Sequence, residues 1–354
     1  MERKNWPLLL KNYLIMDSHE TFFLSDKKKI FPFSRNITCY LENAILNMDK
    51  PNHLNFYEIV KWIENFFNTS RVKLLYNITK KFNGCCVIFL NNSVRMIDFH
   101  AKIQKRAFVN VFEFIYSTKN VKKNLLYHFE KIKNIFVKNV FNFLPGIKRK
   151  IKLDKLFSFS IKEFKKKKCI FSSLCSSHVY FKDLEMYFYS TCSFKCQIRE
   201  SRQIYSSYLS ENQNLINFHD LIDSEWLYFS KKMDFYLKKV TMPVEIAAVS
   251  FRRVVIKFSS INSVCYGAAL KTRGVVRTED TIKKNQEVII ITLKGELVAL
   301  GIYKPSLINF KDKVCFVIKK IVMSKNIYPK SWKMGIFSTK KKLLFSSGFL
   351  FKKK

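Results

Sequence analysis

Val264-Cys265-Tyr266-Gly267-Ala268 opens the block that decides the reading of this chain, and Asn326-Ile327-Tyr328-Pro329-Lys330-Ser331-Trp332-Lys333-Met334-Gly335 closes it. Inside the block two apolar runs, Val288 to Leu293 and Leu297 to Ile302, flank the tight turn Lys294-Gly295-Glu296. Strand-length apolar runs on either side of a short Gly-containing turn predict a β-hairpin, with glycine supplying positive φ. A third run, Val314 to Ile318, follows a polar loop. Lys271, Arg273, Arg277, Lys283 and Lys284 lie in the same block, ahead of these runs. The pattern predicts a small β-barrel with a cationic rim, suited to holding phosphates.

Working outward, the whole chain carries the same chemistry. Its 354 residues hold 64 Lys plus Arg against 27 Asp plus Glu, a net charge of +37. Charge of this size predicts a polyanionic partner, because neutralising phosphates releases condensed counterions. An AT-biased coding sequence, which enriches Lys and Phe alike, is the other source of such a composition. With 48% apolar and 16% aromatic residues the chain has enough core for two domains. No apolar stretch reaches the roughly 18 to 20 residues needed to span a bilayer, and Met1-Glu2-Arg3-Lys4-Asn5 has no apolar secretory core. No membrane association is expected.

Nine cysteines at irregular spacing predict reduced thiols. Cys169, Cys175, His178, Cys192 and Cys196 lie close in sequence but match no paired zinc pattern, so no metal and no cofactor are expected. Four regions separate: an extension over 1–45, a larger domain over 46–248, the barrel over 249–335, and a basic tail over 336–354. In the larger domain Tyr57, Val60, Ile63 and Phe67 are spaced for one helical face, as are Val121, Leu125, Phe129, Ile132 and Phe136. Cys85 to Leu90 and Phe108 to Phe114 read as strands between those helices, which makes the domain α+β. The lysine runs 165–168, 340–342 and 352–354 are suited to phosphate contact without sequence choice.

Cys265-Tyr266-Gly267-Ala268, Arg273-Gly274-Val275-Val276-Arg277, Glu279-Asp280, Asn285-Gln286-Glu287, Lys294-Gly295-Glu296 and Tyr328-Pro329-Lys330-Ser331-Trp332 resemble, in order and spacing, the PUA domain of dyskerin-type proteins. Trp6-Pro7-Leu8-Leu9-Leu10-Lys11-Asn12 resembles the extension that packs beside that module. In the larger domain, Leu46-Asn47-Met48-Asp49-Lys50-Pro51, the helix around Tyr57 to Ile63, the pair Lys148-Arg149, and Phe218 to Tyr228 resemble the TruB and dyskerin pseudouridine synthases. The resemblance implies a synthase-like domain of mixed sheet and flanking helices, followed by a PUA barrel.

The family's active-site blocks are blurred. Its pattern Gly-His-Ser-Gly-Thr-Leu-Asp-Pro, which carries the catalytic aspartate, aligns without gaps on Lys73 to Lys80 and places Thr79 at the aspartate. No Asp or Glu occurs from Asn65 to Ile97. The family's Gly-Thr-Tyr-Ile-Arg-Thr-Leu aligns with His178 to Leu184, which keeps Tyr180 but puts Lys182 where the aspartate-pairing arginine stands. Lysine cannot make the two parallel bonds by which arginine grips a carboxylate. The pocket tyrosine falls on Ala107 or Phe108. Asp49 reads as a turn residue capping backbone N–H groups beside Lys50.

The resemblance therefore implies an RNA-binding core subunit of an H/ACA-type ribonucleoprotein whose isomerase chemistry is weak or lost. Guide RNA, rRNA and small core proteins are its implied partners, and the nucleolus, including that of a nucleomorph, is its implied location. An active guide-directed synthase with another carboxylate and a generic basic RNA-binding protein are the alternatives. RNA contact is expected at Tyr266, Gly267, Lys271, Arg273, Gly274, Arg277 and Lys294, and at Lys148 and Arg149. The two glycines are expected to let backbone amides approach bases.

Overall fold

The computed structural model describes residues 6, 8, 13–15, 32–76, 80, 82–102, 105–114, 127, 156–165, 168–176, 185, 196–280, 282–304, 314–328 and 344. The chain divides into two compact units, one formed by 1–43 with 243–354 and the other by 44–242. The first unit begins with the short strand β1 (Tyr13–Ile15) and helix α1 (Ile37–Leu41) before the chain leaves it. The second unit then runs through β2 (Ala44–Lys50), α2 (Phe56–Phe66), β3 (Val72–Leu74), β4 (Phe82–Leu90), α3 (Ile97–His100) and β5 (Arg106–Phe114). It continues with β6 (Leu156–Lys165), β7 (Lys168–Cys175), β8 (Cys196–Ser206), β9 (Leu209–Ser210), β10 (Leu215–Ile216), α4 (Phe218–Lys231) and α5 (Phe235–Val240). After β11 (Met242–Pro243) the first unit resumes with α6 (Glu245–Ala248), β12 (Arg252–Ile256), α7 (Phe258–Cys265), β13 (Leu270–Lys271), β14 (Val275–Glu279), β15 (Glu287–Ile291), β16 (Leu297–Tyr303) and β17 (Val314–Ile321).

The second unit is built on a mixed sheet with strand order β10-β2-β4-β8-β5-β7-β6. Pairing is parallel between β10 and β2 and between β4 and β8, and antiparallel between β2 and β4, where Ile45 faces Phe89 and Asp49 faces Cys85. Continuous apolar runs such as Ala44 to Leu46 and Cys85 to Leu90 are buried throughout, as central strands covered on both faces require. The outer strands alternate instead: β5 buries Arg106, Phe108, Asn110, Phe112 and Phe114, the residues of one face. Helix α2 starts where Asn55 N–H donates to Glu58 Oε2 at 3.2 Å. It buries Ile59 and Ile63, four residues apart. Tyr57 does not join that stripe: two positions before Ile59, it is carried to the other side of a helix with about 3.6 residues per turn, and is 67% exposed. The face through Tyr57, Val60, Ile63 and Phe67 is thus corrected to one through Ile59 and Ile63. The second helical pattern, from Val121 to Phe136, lies outside the described residues.

The first unit is a seven-stranded sheet with order β1-β14-β12-β15-β16-β17-β13. Val254, Ile256, Ile261, Val264, Leu270, Val288, Ile290, Val298, Phe316 and Met323 share one core against α7. The hairpin forms as its sequence predicts, with Gly295 at φ +77° and Thr292 N–H donating to Glu296 O at 2.9 Å.

The extension is stitched into this sheet. Tyr13, Leu14 and Ile15 pair antiparallel with Glu279, Thr278 and Arg277. Trp6 and Leu8 are buried, the Trp6 indole N–H donates to Gly295 O at 3.0 Å, and its ring meets Phe33 edge-on at 5.4 Å. Arg35 donates to Glu245 Oε1 at 2.6 Å and lies 3.6 Å from Glu296 Oε1. Burial alone would lower the Arg35 guanidinium, but Glu245 and Glu296 outweigh it and raise it above its usual value. Tyr328 OH donates to Glu296 Oε2, and burial together with that carboxylate pushes the phenol far up.

Candidate nucleic-acid interface

The candidate surface starts at the end of α7. Gly267 N–H donates to Val264 O at 2.8 Å and Ala268 N–H to Ser263 O at 3.1 Å, a Schellman pair that closes the helix with Gly267 at φ +89°. The Cys265-Tyr266-Gly267-Ala268 signature is thereby explained as a helix stop. A Cβ on Gly267 would meet nothing nearer than Ile321 Cδ1 at 3.9 Å, so the glycine is required by φ and not by space. The reverse holds at Gly274, which is buried and where a Cβ would stand 2.6 Å from Ser260 Oγ and 2.9 Å from Leu270 Cδ1. Gly274 serves close packing under the loop, which corrects the expectation that it opens the backbone to a base.

Helix stop and loop together present Tyr266, Gly267, Lys271 and Arg273 to solvent within one short segment. Tyr266 OH donates to Asn326 Oδ1 at 3.0 Å, and Lys325 Nζ lies 5.1 Å from the centre of its ring. The loop after β17 therefore completes the surface. Phe258, 47% exposed and edge-on to Tyr328 at 5.1 Å, extends it with a second ring. Lys325, Asn326 and Phe258 went unnoticed in the sequence. The signal for Lys325 and Asn326 was the Ser-Lys-Asn-Ile run just before the Tyr328-Pro329 block. A ring beside cations, on backbone fixed by a cap, is an arrangement for stacking a base and pairing its phosphate.

Arg277 and Lys294 are placed elsewhere. Arg277 lies half-buried in β14 opposite Ile15 and Val255, with an enclosed Nε that no hydrogen bond reaches among the described residues. Lys294 belongs to the hairpin turn, where its N–H donates to Thr292 Oγ1 at 3.2 Å.

In the second unit Asp49 and Lys50, neighbours in β2, take opposite roles. Lys50 is fully buried and its ammonium donates to Phe82 O at 2.6 Å and Pro51 O at 3.0 Å; burial lowers it below the usual lysine value. Asp49 is gripped by Arg202 of β8, Nη1 at 3.2 Å and Nη2 at 3.0 Å, with Glu211 on Arg202 Nε at 2.5 Å. This two-armed ion pair replaces the expected turn cap: β2 continues through Asp49, so the carboxylate reaches across β4 to Arg202 on β8, the next strand of the sheet. Partial burial would lower Arg202, but Asp49 and Glu211 prevail and raise it.

Arg106 stands where the sequence placed the pocket tyrosine's neighbourhood. It is buried, donates to Gln203 Oε1 from Nε at 3.2 Å and Nη2 at 2.5 Å, and lies 5.2 Å from the Tyr76 ring and 4.8 Å from the Phe108 ring. Burial lowers its guanidinium below the usual value. Sequence spacing gave no sign of this group. Thr79, Tyr180, Lys182, Lys148 and Arg149 lie outside the described residues, as do His178 and Cys192. Cys169 and Cys175 occupy buried positions in β7, and among the described residues no cluster of His, Cys, Asp and Glu is arranged for a metal.

The PUA domain family matches residues 252–309. The H/ACA ribonucleoprotein complex subunit CBF5 of Kluyveromyces lactis is 27% identical over 98% of this chain and 73% of its own length. The corresponding CBF5 of Saccharomyces cerevisiae is 26% identical over 99% and 73%, and the human subunit DKC1 is 26% identical over 99% and 68%. Among solved structures, a chain of an H/ACA RNP bound to a substrate RNA containing 2'-deoxyuridine shares the fold with a TM-score of 0.78, at 22% identity over 92% of this chain and 99% of that one. A chain of a Cbf5-Nop10-Gar1 complex gives 0.77 at 23% identity over 93% and 100%. Along nearly its whole length the chain is thus similar to dyskerin-type H/ACA ribonucleoprotein subunits, with a matched PUA domain and the same α+β fold.

Proposed function

We propose that this chain is the RNA-binding core subunit of an H/ACA-type ribonucleoprotein, serving guide-directed pseudouridylation and rRNA processing in the nucleolus. Its partners are an H/ACA guide RNA, rRNA and small core proteins of the Nop10 and Gar1 kind. The observation that carries the reading is the capped segment from Tyr266 to Arg273, joined by Lys325 and Asn326, on the domain that matches the PUA family. The net charge of +37 supports an RNA partner. In a titration with guide RNA, Lys271→Ala with Arg273→Ala weakens affinity and lowers the salt slope by about one for each phosphate no longer neutralised. Unchanged affinity and slope overturn the assignment.

The family's aspartate chemistry is weak or lost in this reading. Thr79, which aligns with the aspartate, offers a neutral hydroxyl, and the acid-free window from Asn65 to Ile97 supplies no base to activate it. One observation favours a second reading, an active synthase. Asp49 and Arg202 form a two-armed aspartate–arginine pair of the type that the family uses in catalysis. Reconstitution with guide RNA, substrate RNA and the small core proteins, followed by measurement of pseudouridine, separates the two. Absent turnover upholds the first reading. Turnover comparable with an intact relative, abolished by Asp49→Ala, establishes the second.

A further inference from the structure

Across the turn from α4 into α5 the chain reads Lys231-Lys232-Met233-Asp234-Phe235-Tyr236-Leu237-Lys238-Lys239. Helix α5 turns Leu237 and Val240 inwards. Phe235, Tyr236 and Met233 are left 63, 41 and 43% exposed. The rings of Phe235 and Tyr236 meet edge-on at 5.5 Å, so their planes point in different directions. Asp234, the acid of the turn, is held by Lys238 at 2.6 Å. Lys231, Lys232 and Lys239 are exposed and pair with no carboxylate among the described residues.

Lys232 ends α4 at φ +54° and ψ +28°, the left-handed conformation in which helices most often place glycine. A side chain is strained there, and a position that glycine would fill without strain holds a long cation instead. Lys231 sets its Nζ 5.8 Å from the centre of the exposed Trp226 ring. The helix dipole accounts for lysines near a C-terminus and leaves the rings unexplained. Exposed rings beside unpaired cations are the elements of a single-stranded nucleic-acid platform, on which a base stacks and its phosphate meets the charge. A protein covering this turn would strip water from three lysines that no carboxylate here neutralises. Duplex RNA keeps its bases stacked inside, out of reach of a ring.

We propose that the α4–α5 turn is a second RNA contact of this chain, on the unit that the PUA match does not cover, and that it takes an unpaired stretch of RNA. Bases stack on Phe235 and Tyr236, and phosphates meet Lys231, Lys232 and Lys239. The inference rests on the reading of the chain as an RNA-binding subunit.

The test uses the full chain and fluorescently labelled guide RNA, free or with its unpaired strand covered by a complementary oligonucleotide. Phe235→Ala combined with Tyr236→Ala is expected to weaken binding of the free guide about tenfold or more, with melting temperature held. Lys232→Gly is expected to keep the melting temperature at or above the parent's. It lowers the slope of log affinity against log salt by about 0.7, the share of one phosphate on a single strand. On the covered guide, parent and ring variant bind alike. Should the ring variant melt early, Lys232→Gly with Lys239→Ala decides through the salt slope. Thiouridine placed in the guide or in the substrate RNA and cross-linked to residues 231–239 tells the two strands apart; no cross-link from either overturns the proposal. Equal affinity and slope in parent and variants overturn it too, as does a ring-variant loss that persists on the covered guide. Where the parent binds guide RNA, those outcomes leave the RNA-binding reading standing; a parent that does not bind it overturns both.

Discussion

Replacing Arg35 by Met removes the cation between two buried carboxylates and leaves the rest of the first unit's core untouched. Arg35 Nη2 is 2.6 Å from Glu245 Oε1 and 3.6 Å from Glu296 Oε1, and the three side chains are only 10, 1 and 5% exposed. The flexible methionine fills the volume of the aliphatic stem, so the loss is electrostatic. Breaking a buried pair by removing one partner costs about 3–5 kcal/mol, because the remaining charge has neither water nor counterion. Glu245 keeps the neutral donor Leu297 N–H at 3.2 Å, and its Oε2 is enclosed with no hydrogen bond among the described residues. Against a domain stability of about 5–15 kcal/mol this is a large fraction. At about 2–4 °C per kcal/mol, the melting temperature falls by roughly 6–20 °C. Thermal melts followed by circular dichroism at neutral pH measure it. Adding Glu245→Gln neutralises the stranded group and recovers a substantial part of the loss. A melting temperature within about 2 °C of the parent for Arg35→Met, or a double variant as unstable as the two single losses added, refutes the reasoning.

Trp6→Ala removes the indole bond to Gly295 O and the edge contact with Phe33, and is expected to cost about 3–5 kcal/mol in a denaturant titration. Deleting residues 1–12 lowers the melting temperature in the same direction. Gly267→Ala costs about 1–2 kcal/mol through its left-handed φ, whereas Gly274→Ala costs about 1–3 kcal/mol through overlap with Ser260 and Leu270. A second change, Ser260→Ala, relieves the Gly274 variant and not the Gly267 variant, as paired melts will show. Burial raises the thiols of Cys86 to about 12 and of Cys169 and Cys265 to about 11, from an ordinary 9.0. Above pH 9 the unfolded chain has released protons that the folded one retains, so stability falls as pH rises from there towards those values. Isothermal denaturation against pH checks this, with onset of thiol reactivity as the second readout; a stability that rises above pH 9 contradicts it.

Local signals were legible in the sequence because they depend on a few bonded neighbours. Gly267 and Gly295 announce positive φ, and the runs 85–90 and 288–291 announce buried strands, whatever the rest of the chain does. The α+β class and the PUA-like block followed from such signals taken in order. The misassigned face of α2 was also a local question, but one that apolar residues on two sides of the helix left ambiguous until the sheet selected Ile59 and Ile63.

Partnership, by contrast, emerged only once the chain was folded. Trp6 finds Gly295, Arg35 finds Glu245, and Asp49 finds Arg202 across 289, 210 and 153 residues of chain. No spacing rule links such pairs, since their meeting is set by strand order and not by distance along the backbone. Arg106 shows the same limit from the other side. A lone arginine in an alternating strand reads as solvated, and only the inward face of β5 and the rings of Tyr76 and Phe108 make it a buried cation. The class of the fold, the PUA-like module and the acid-free window around Thr79 could all be read from the order of residues. Which charges lost their water could not, because desolvation is a property of the packed neighbourhood and leaves no mark on that order.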